Sequence, residues 1–357
     1  MSPMNELLTR ALDQVSDPET GRPITQTGQI IEATQDGQQV RVEAGLTSWS
    51  QPIAEEWRQQ LRDRLLAAFP GSHVDVELTP FERQVARSGQ LGLRIRSILL
   101  VGSGKGGVGK STIAAGLALA LQRLGARTGL MDADVYGPSV PHLLGLSGRP
   151  SVTEEKKIEP IRSRGMPVIS MGFLVEPDQA VIWRGPMLHG SITQFLRDTE
   201  WGELDYLVID MPPGTGDVAL TLSQLAPIAG AVVVCTPQEV ALLDAVKAVA
   251  MFRRVNIPIL GMVENMSGFI SPDTGKRFDI FGAGGARARA EELGVPVLGE
   301  VPIDIRLREL GDAGQLALAL EPAASSQAVL LGIARNVVRT LAMRQAARPA
   351  AAALPTL

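Results

Sequence analysis

Apolar residues change their spacing several times along the chain. Leu7, Leu8, Ala11, Leu12 and Val15 recur at helical intervals. The runs GQIIEAT and QQVRVEAGL then alternate apolar with polar positions on either side of Asp36-Gly37, which predicts two strands joined as a hairpin. Ile53, Trp57, Leu61 and Leu65 follow at every fourth position and lay one apolar stripe along a helix. After Pro70-Gly71 the run HVDVEL predicts one more strand. The order α-β-β-α-β over residues 4–79 makes a small N-terminal α/β domain, with Trp49 and Trp57 read as core residues. Residues 80–94, rich in charge and holding Gly89 and Gly92, predict a linker.

From Arg96 onward, short apolar runs alternate with helical stretches: RSILLVG, TGLMDAD, MPVISM, LDYLVIDMP, GAVVVCTP, PILGMVENM and PVLGEVP. Strands without polar alternation are buried on both faces, so these predict an α/β domain over 95–345 whose mostly parallel sheet is flanked by helices. Ligands of such folds collect beyond the carboxyl ends of the strands. The last helix is expected to end near Gln345, leaving 346–357 as an Ala/Pro-rich tail.

Composition narrows the function classes. A chain of 357 residues, 45% hydrophobic, can bury a large core. Its formal charge of −4 offers no general attraction to nucleic acid or to an anionic membrane, so neither is expected as a partner. The single cysteine cannot form an internal disulfide, MSPMNELLTRALDQ lacks an apolar signal core, and no apolar run is long enough to span a bilayer. A cytoplasmic protein is expected.

Candidate chemistry centres on GSGKGGVGKS. Gly104, Gly109, Lys110 and Ser111 fit the phosphate-loop pattern G-x-x-x-x-G-K-[ST], after the strand SILLVG and before the helix STIAAGLALALQRLG. Loop N–H groups and the helix N-terminus supply positive potential, so Gly104, Lys105, Gly106, Gly107, Val108, Gly109, Lys110, Ser111 and Thr112 are the candidate phosphate contacts. Lys110 is expected to reach the β/γ-phosphates and Ser111 a Mg²⁺ ion. Asp210 closes the run YLVID, where a carboxylate can hold the Mg²⁺ shell, and PPGTGD after it is placed to sense the γ-phosphate. Asp132 and Asp134 end another strand, where one of them can orient the attacking water. His73, His142 and His189 fall in different elements and make no three-histidine metal site, while Cys235 in AVVVCTP reads as a small buried hydrophobe.

GKGGVGKS, DADVYGPS, WRGPM, LDYLVIDMPPGTGD, TPQEVALLDAVK and VENMSGF together resemble the Mrp/ApbC family of ATP-binding iron–sulfur cluster carriers, within the wider group of MinD, ParA and nitrogenase iron protein. The resemblance runs from about residue 96 to 340, and residues 4–79 resemble the small domain many members carry at the N-terminus. It implies a phosphate-loop NTPase that hydrolyses ATP slowly with Mg²⁺, acts as a homodimer and serves iron–sulfur assembly or client proteins. It implies that Lys105 reaches across the dimer to the partner's ATP, that Asp134 orients the water, that Asp217 closes the second switch and that Asn265 contacts adenine. A MinD/ParA-like switch that controls binding to a partner, membrane or DNA is the competing reading.

The same family places a C-x-x-C pair after E-N-M-S, one pair per subunit, to bridge a [4Fe–4S] cluster. Aligned on ENMS and IFG, those positions hold Ser271 and Thr274. Hydroxyls do not replace thiolates as cluster ligands, so no stable cluster is expected by that mode.

Overall fold

The computed structural model describes residues 6–135, 137–174, 185–214 and 216–347. The tail from 348, Trp183 and Arg184 of the WRGPM stretch, Tyr136 and Thr215 lie outside the described residues. The chain divides into two compact units: one holds the residues through Gln84 together with those from Val338 onward, the other Val85–Val337. Residues 338–345, read from the sequence as the end of the 95–345 domain, group with the N-terminal unit, as do 346 and 347 of the expected tail.

The first unit has α1 (Glu6–Asp13), β1 (Ile30–Asp36), β2 (Gln39–Leu46), α2 (Ala54–Ala68) and β3 (His73–Pro80), the order read from the sequence. Asp36 pairs with Gln39 across the tight antiparallel turn, where Gly37 takes a positive φ of 55°. β2 and β3 are parallel, so the chain must cross over between them, and α2 is that crossover. Its stripe of Trp57, Leu61 and Leu65 is buried against Leu8, Leu12 and Val42. The Trp57 indole also donates to Ser16 O at 3.0 Å, so its one polar atom is satisfied. Trp49 is buried as well.

The second unit runs β4 (Ile95–Gly102), α3 (Lys110–Arg123), β5 (Thr128–Asp132), α4 (Val140–Leu143), β6 (Ser151–Val152), β7 (Ile158–Glu159), β8 (Ile161–Ser163), β9 (Met166–Ser170), α5 (Gly185–Asp198), β10 (Leu204–Asp210), α6 (Gly216–Leu225), β11 (Ile228–Cys235), α7 (Glu239–Arg254), β12 (Ile259–Ile270), β13 (Arg277–Phe278), α8 (Gly285–Leu293), β14 (Val297–Ile303), α9 (Ile305–Asp312) and α10 (Gln327–Ala346), whose end belongs to the first unit. The main sheet has the order β13-β12-β11-β4-β10-β5-β9-β8, with β14 also on β12. Pairing is parallel except at β12–β13 and β8–β9. Every residue of β10 is buried, as an interior strand covered on both faces requires. On one face Ile98, Leu100, Ile209 and Val233 pack with Phe195 of α5, Leu222 of α6, Phe252 of α7 and Ala290 of α8. The alternate residues Leu99 and Val101 are equally buried, and α3 lies against β4, β5 and β10. No described helix is long and apolar enough to cross a membrane.

Register is what builds the site. Asp210 lies opposite Val101 of β4 on one side and Asp132 of β5 on the other. Parallel strands therefore deliver the start of the glycine loop and two carboxylates to one sheet edge.

Candidate functional site

β4 ends at Gly102, and the chain turns through Ser103–Gly109 before α3 begins at Lys110. The tightness of this turn explains two glycines. Gly109 caps the helix with a φ of 79°, and a Cβ there would stand 2.2 Å from Asn265 Nδ2. At Gly104 a Cβ would sit 2.0 Å from the Asp244 carbonyl oxygen, so α7 packs directly on the loop. Ser103 ties the loop internally, its Oγ donating to Lys105 O at 2.8 Å. Gly214 of the PPGTGD segment donates its N–H to Ser103 O at 3.1 Å, which fastens that segment to the loop.

Lys110 is the electrostatic centre. Its side chain is buried, and Nζ lies 2.6 Å from Asp210 Oδ1 and 3.7 Å from Asp134 Oδ2. It also donates to Ser111 Oγ at 3.1 Å. Burial raises Asp210 above the usual carboxylate range, against the downward pull of Lys110. Asp210 Oδ2 has no hydrogen-bond partner among the described residues. An orphaned carboxylate oxygen beside a serine hydroxyl is a hard oxygen donor set, so Ser111 and Asp210 fit a Mg²⁺ ion.

Asp132, the residue the sequence left as an alternative to Asp134, is wholly buried and does a different job. Its Oδ1 accepts Asp134 N–H at 3.1 Å, and its Oδ2 accepts Val140 N–H at 3.2 Å and Ser170 Oγ–H at 3.0 Å. It thus holds both ends of the loop that carries Asp134. Asp134 lines the cavity and accepts Gly137 N–H at 3.2 Å.

Burial, and then the facing Asp210 carboxylate, push Asp132 up to about 7. A carboxyl raised on folding holds its proton more tightly in the folded chain. Its stabilising contribution is complete below the ordinary carboxylate range and is lost as pH rises through about 7. Without Mg²⁺-nucleotide, the melting temperature is expected to decline between about pH 5 and pH 8, and Asp132→Asn to flatten that decline by about 5 °C. Thermal melts across that range check it, and an unchanged slope would mean another group titrates.

The cavity over the loop measures about 290 Å³ and is lined by Lys105, Gly107, Lys110, Ser111, Thr112 and Asp134, with others. That is below the roughly 300–1,000 Å³ of sites that enclose whole drug-sized ligands, and suits a phosphate chain with the rest of a nucleotide outside. Lys105 lines it half-buried, and among the described residues its ammonium has no hydrogen bond or ion pair. Val108, within the loop, is buried. Asp217 sits in the first turn of α6. Asn265 is not part of the lining; its Nδ2 donates to Val108 O at 2.9 Å.

Ser271 and Thr274 lie apart from these groups, in the turn between β12 and β13. Ser271 N–H donates to Lys276 O at 3.0 Å and Gly275 N–H to Ser271 O at 2.8 Å. Cys235 is inside the sheet, its Sγ donating to Val263 O at 3.7 Å, and burial with the nearby Glu264 pushes the thiol up to about 12. One buried thiol and two hydroxyls per chain do not make the thiolate set of an iron–sulfur cargo.

Sequence reading missed Ser170, the Gly214 tie and the Asp244 contact. Ser170 ends the run MPVIS, and only the adjacency of β9 and β5 reveals what it faces.

The chain matches two families: NUBPL iron-transfer P-loop NTPase over residues 94–338, and iron–sulfur cluster assembly protein over 6–78. An iron–sulfur cluster carrier protein of Deinococcus radiodurans is 45% identical over 96% of this chain and 97% of its own length. The mouse iron–sulfur cluster transfer protein NUBPL is 49% identical over 69% of this chain and 78% of its own. Among solved structures, an Archaeoglobus fulgidus nucleotide-binding protein in complex with ADP is similar with a TM-score of 0.56 and 42% identity, over 63% of this chain and 88% of that one.

Proposed function

Because this chain belongs to the family of NUBPL-type P-loop NTPases and iron–sulfur cluster carrier proteins, we propose that it binds Mg²⁺-ATP over the β4–α3 loop and hydrolyses it slowly as a cytoplasmic homodimer serving iron–sulfur assembly or client proteins. One observation carries this reading: Lys110 is buried in ion-pair contact with two carboxylates at the mouth of a phosphate-sized cavity. The ADP complex of the Archaeoglobus relative supports the choice of ligand class.

Each residue has a role that its place allows. Loop N–H groups and the α3 N-terminus bind the phosphates. Lys110 offers its charge to the β/γ-phosphates, and Ser111 with Asp210 would hold Mg²⁺, which neutralises phosphate charge when bound. Asp134, held by Asp132, orients the attacking water. Lys105 acts on the partner subunit's nucleotide, placing positive charge where the transition state gathers negative charge. Slow turnover follows, because one subunit alone lacks that charge.

Lys105→Ala is the test. The variant should bind ATP like the parent, lose ATP-dependent dimerisation and lose about a hundredfold or more in turnover, by the scale of charges supplied in trans to phosphoryl transfer. Light scattering with a slowly hydrolysed ATP analogue and a phosphate-release assay measure both. A variant that dimerises and turns over like the parent would remove Lys105 from the site.

A further inference from the structure

Near its end, β12 departs from regular strand geometry. Met266 has a φ of 58°, in the left-handed region that side chains other than glycine rarely adopt. The ladder to β14 slips there: Asn265 faces Val301, but the next paired residue is Phe269, opposite Ile303. Strain at a non-glycine residue persists where the surroundings hold it, and such positions gather at functional sites. Here the kink accompanies a polar side chain leaving the sheet. Asn265, 8% exposed, donates from Nδ2 to Val108 O.

That contact comes from behind the phosphate loop. Asn265 does not line the cavity, whereas Gly109 does. The fit is close, since a Cβ on Gly109 would meet Asn265 Nδ2 at 2.2 Å and Met266 Cε at 4.0 Å. The carbonyl of Val108 and the N–H of Gly109 belong to one peptide plane, and in a trans peptide they point in opposite directions. The described chain has no cis peptide bond. Anchoring the carbonyl from the rear therefore aims the Gly109 N–H away from Asn265, toward the cavity.

We propose that Asn265 is a positioning residue for the phosphates, orienting the Val108–Gly109 peptide so that the Gly109 N–H meets the phosphate chain. The role needs no base and is distinct from the adenine contact implied by resemblance. Met266, by taking the strained conformation, delivers Asn265 to the loop. This inference rests on the phosphate-site reading above.

Inorganic tripolyphosphate, which carries the phosphates without a base, separates the two roles. Titration calorimetry of ATP and of tripolyphosphate, each with Mg²⁺, is run on the full-length parent, Asn265→Ala and Asn265→Ser. The serine variant serves where alanine melts uncooperatively. Hydrogen–deuterium exchange over residues 103–112 without ligand is the second readout. Both ligands should weaken by about five- to tenfold, the scale of one hydrogen bond, with their affinity ratio unchanged. Exchange in the loop should quicken, which a base contact would not cause. Loss for ATP alone, with tripolyphosphate binding and loop exchange unchanged, overturns the inference and returns Asn265 to the base; so does unchanged binding of both. A parent that binds neither ligand would instead overturn the phosphate site, and the positioning role with it.

Discussion

Lys110→Ala is expected to abolish Mg²⁺-ATP binding, with an affinity loss of about a hundredfold or more. The size follows from truncating one partner of a buried, hydrogen-bonded charge pair, which costs about 2–5 kcal/mol. Lys110 has two tasks, and the variant fails at both. It loses the cation that meets the phosphates, and it leaves Asp132, Asp134 and Asp210 without the charge now lying 2.6 Å from Asp210 and 3.7 Å from Asp134. Buried carboxylates without a cation hold protons more tightly. The variant's melting temperature should therefore drop near neutral pH and partly recover as pH falls through the range where Asp132 and Asp210 take up protons. Titration calorimetry and thermal melts at two pH values read the two effects separately. Unchanged ATP affinity would move the nucleotide site elsewhere.

The phosphate loop is legible in the amino-acid sequence because it is local. Strand, glycine turn, Lys110 and helix occupy one continuous stretch, and each residue type reports its own conformational need. Asp210 and Asp132 are legible as strand-end carboxylates for the same reason. Their closeness is not, because it depends on β10 lying between β4 and β5. Contacts that cross the sheet carry no local signal: Asn265 reaches Val108 across 157 residues. Ser170 reaches Asp132 across 38. Gly104 is recognisable as a loop glycine, but its packing against Asp244 is hidden in the placing of α7. The last helix shows the same limit, since its apolar spacing reads identically whichever unit it joins.

Anaerobic reconstitution of the chain with iron and sulfide is expected to yield no stable cluster by the family's usual mode. The family resemblance puts the ligands at the positions of Ser271 and Thr274, and the structure places both in the turn between β12 and β13, with Thr274 Oγ1 accepting Lys276 N–H at 3.4 Å. These hydroxyls are hard and weakly acidic, whereas iron–sulfur clusters take thiolates. The sole cysteine does not compensate, because Cys235 is buried in β11 with its thiol pushed up to about 12. The nucleotide machinery uses none of these residues. On the proposed function, ATP-driven activity is therefore expected to persist with a partner protein supplying the thiolates. The prediction has a constructive half. Ser271→Cys with Thr274→Cys restores two thiols per chain at the family's positions, and a dimer of that variant should gain iron, sulfide and thiolate-to-iron charge-transfer absorption that the parent lacks. About four irons per dimer in the parent, the content of one [4Fe–4S] cluster, would overturn the reading. Failure of the double variant to gain iron, with its fold and ATP binding intact, would show that the turn cannot present the thiols, and that the missing cysteines are not the whole reason this chain departs from its family.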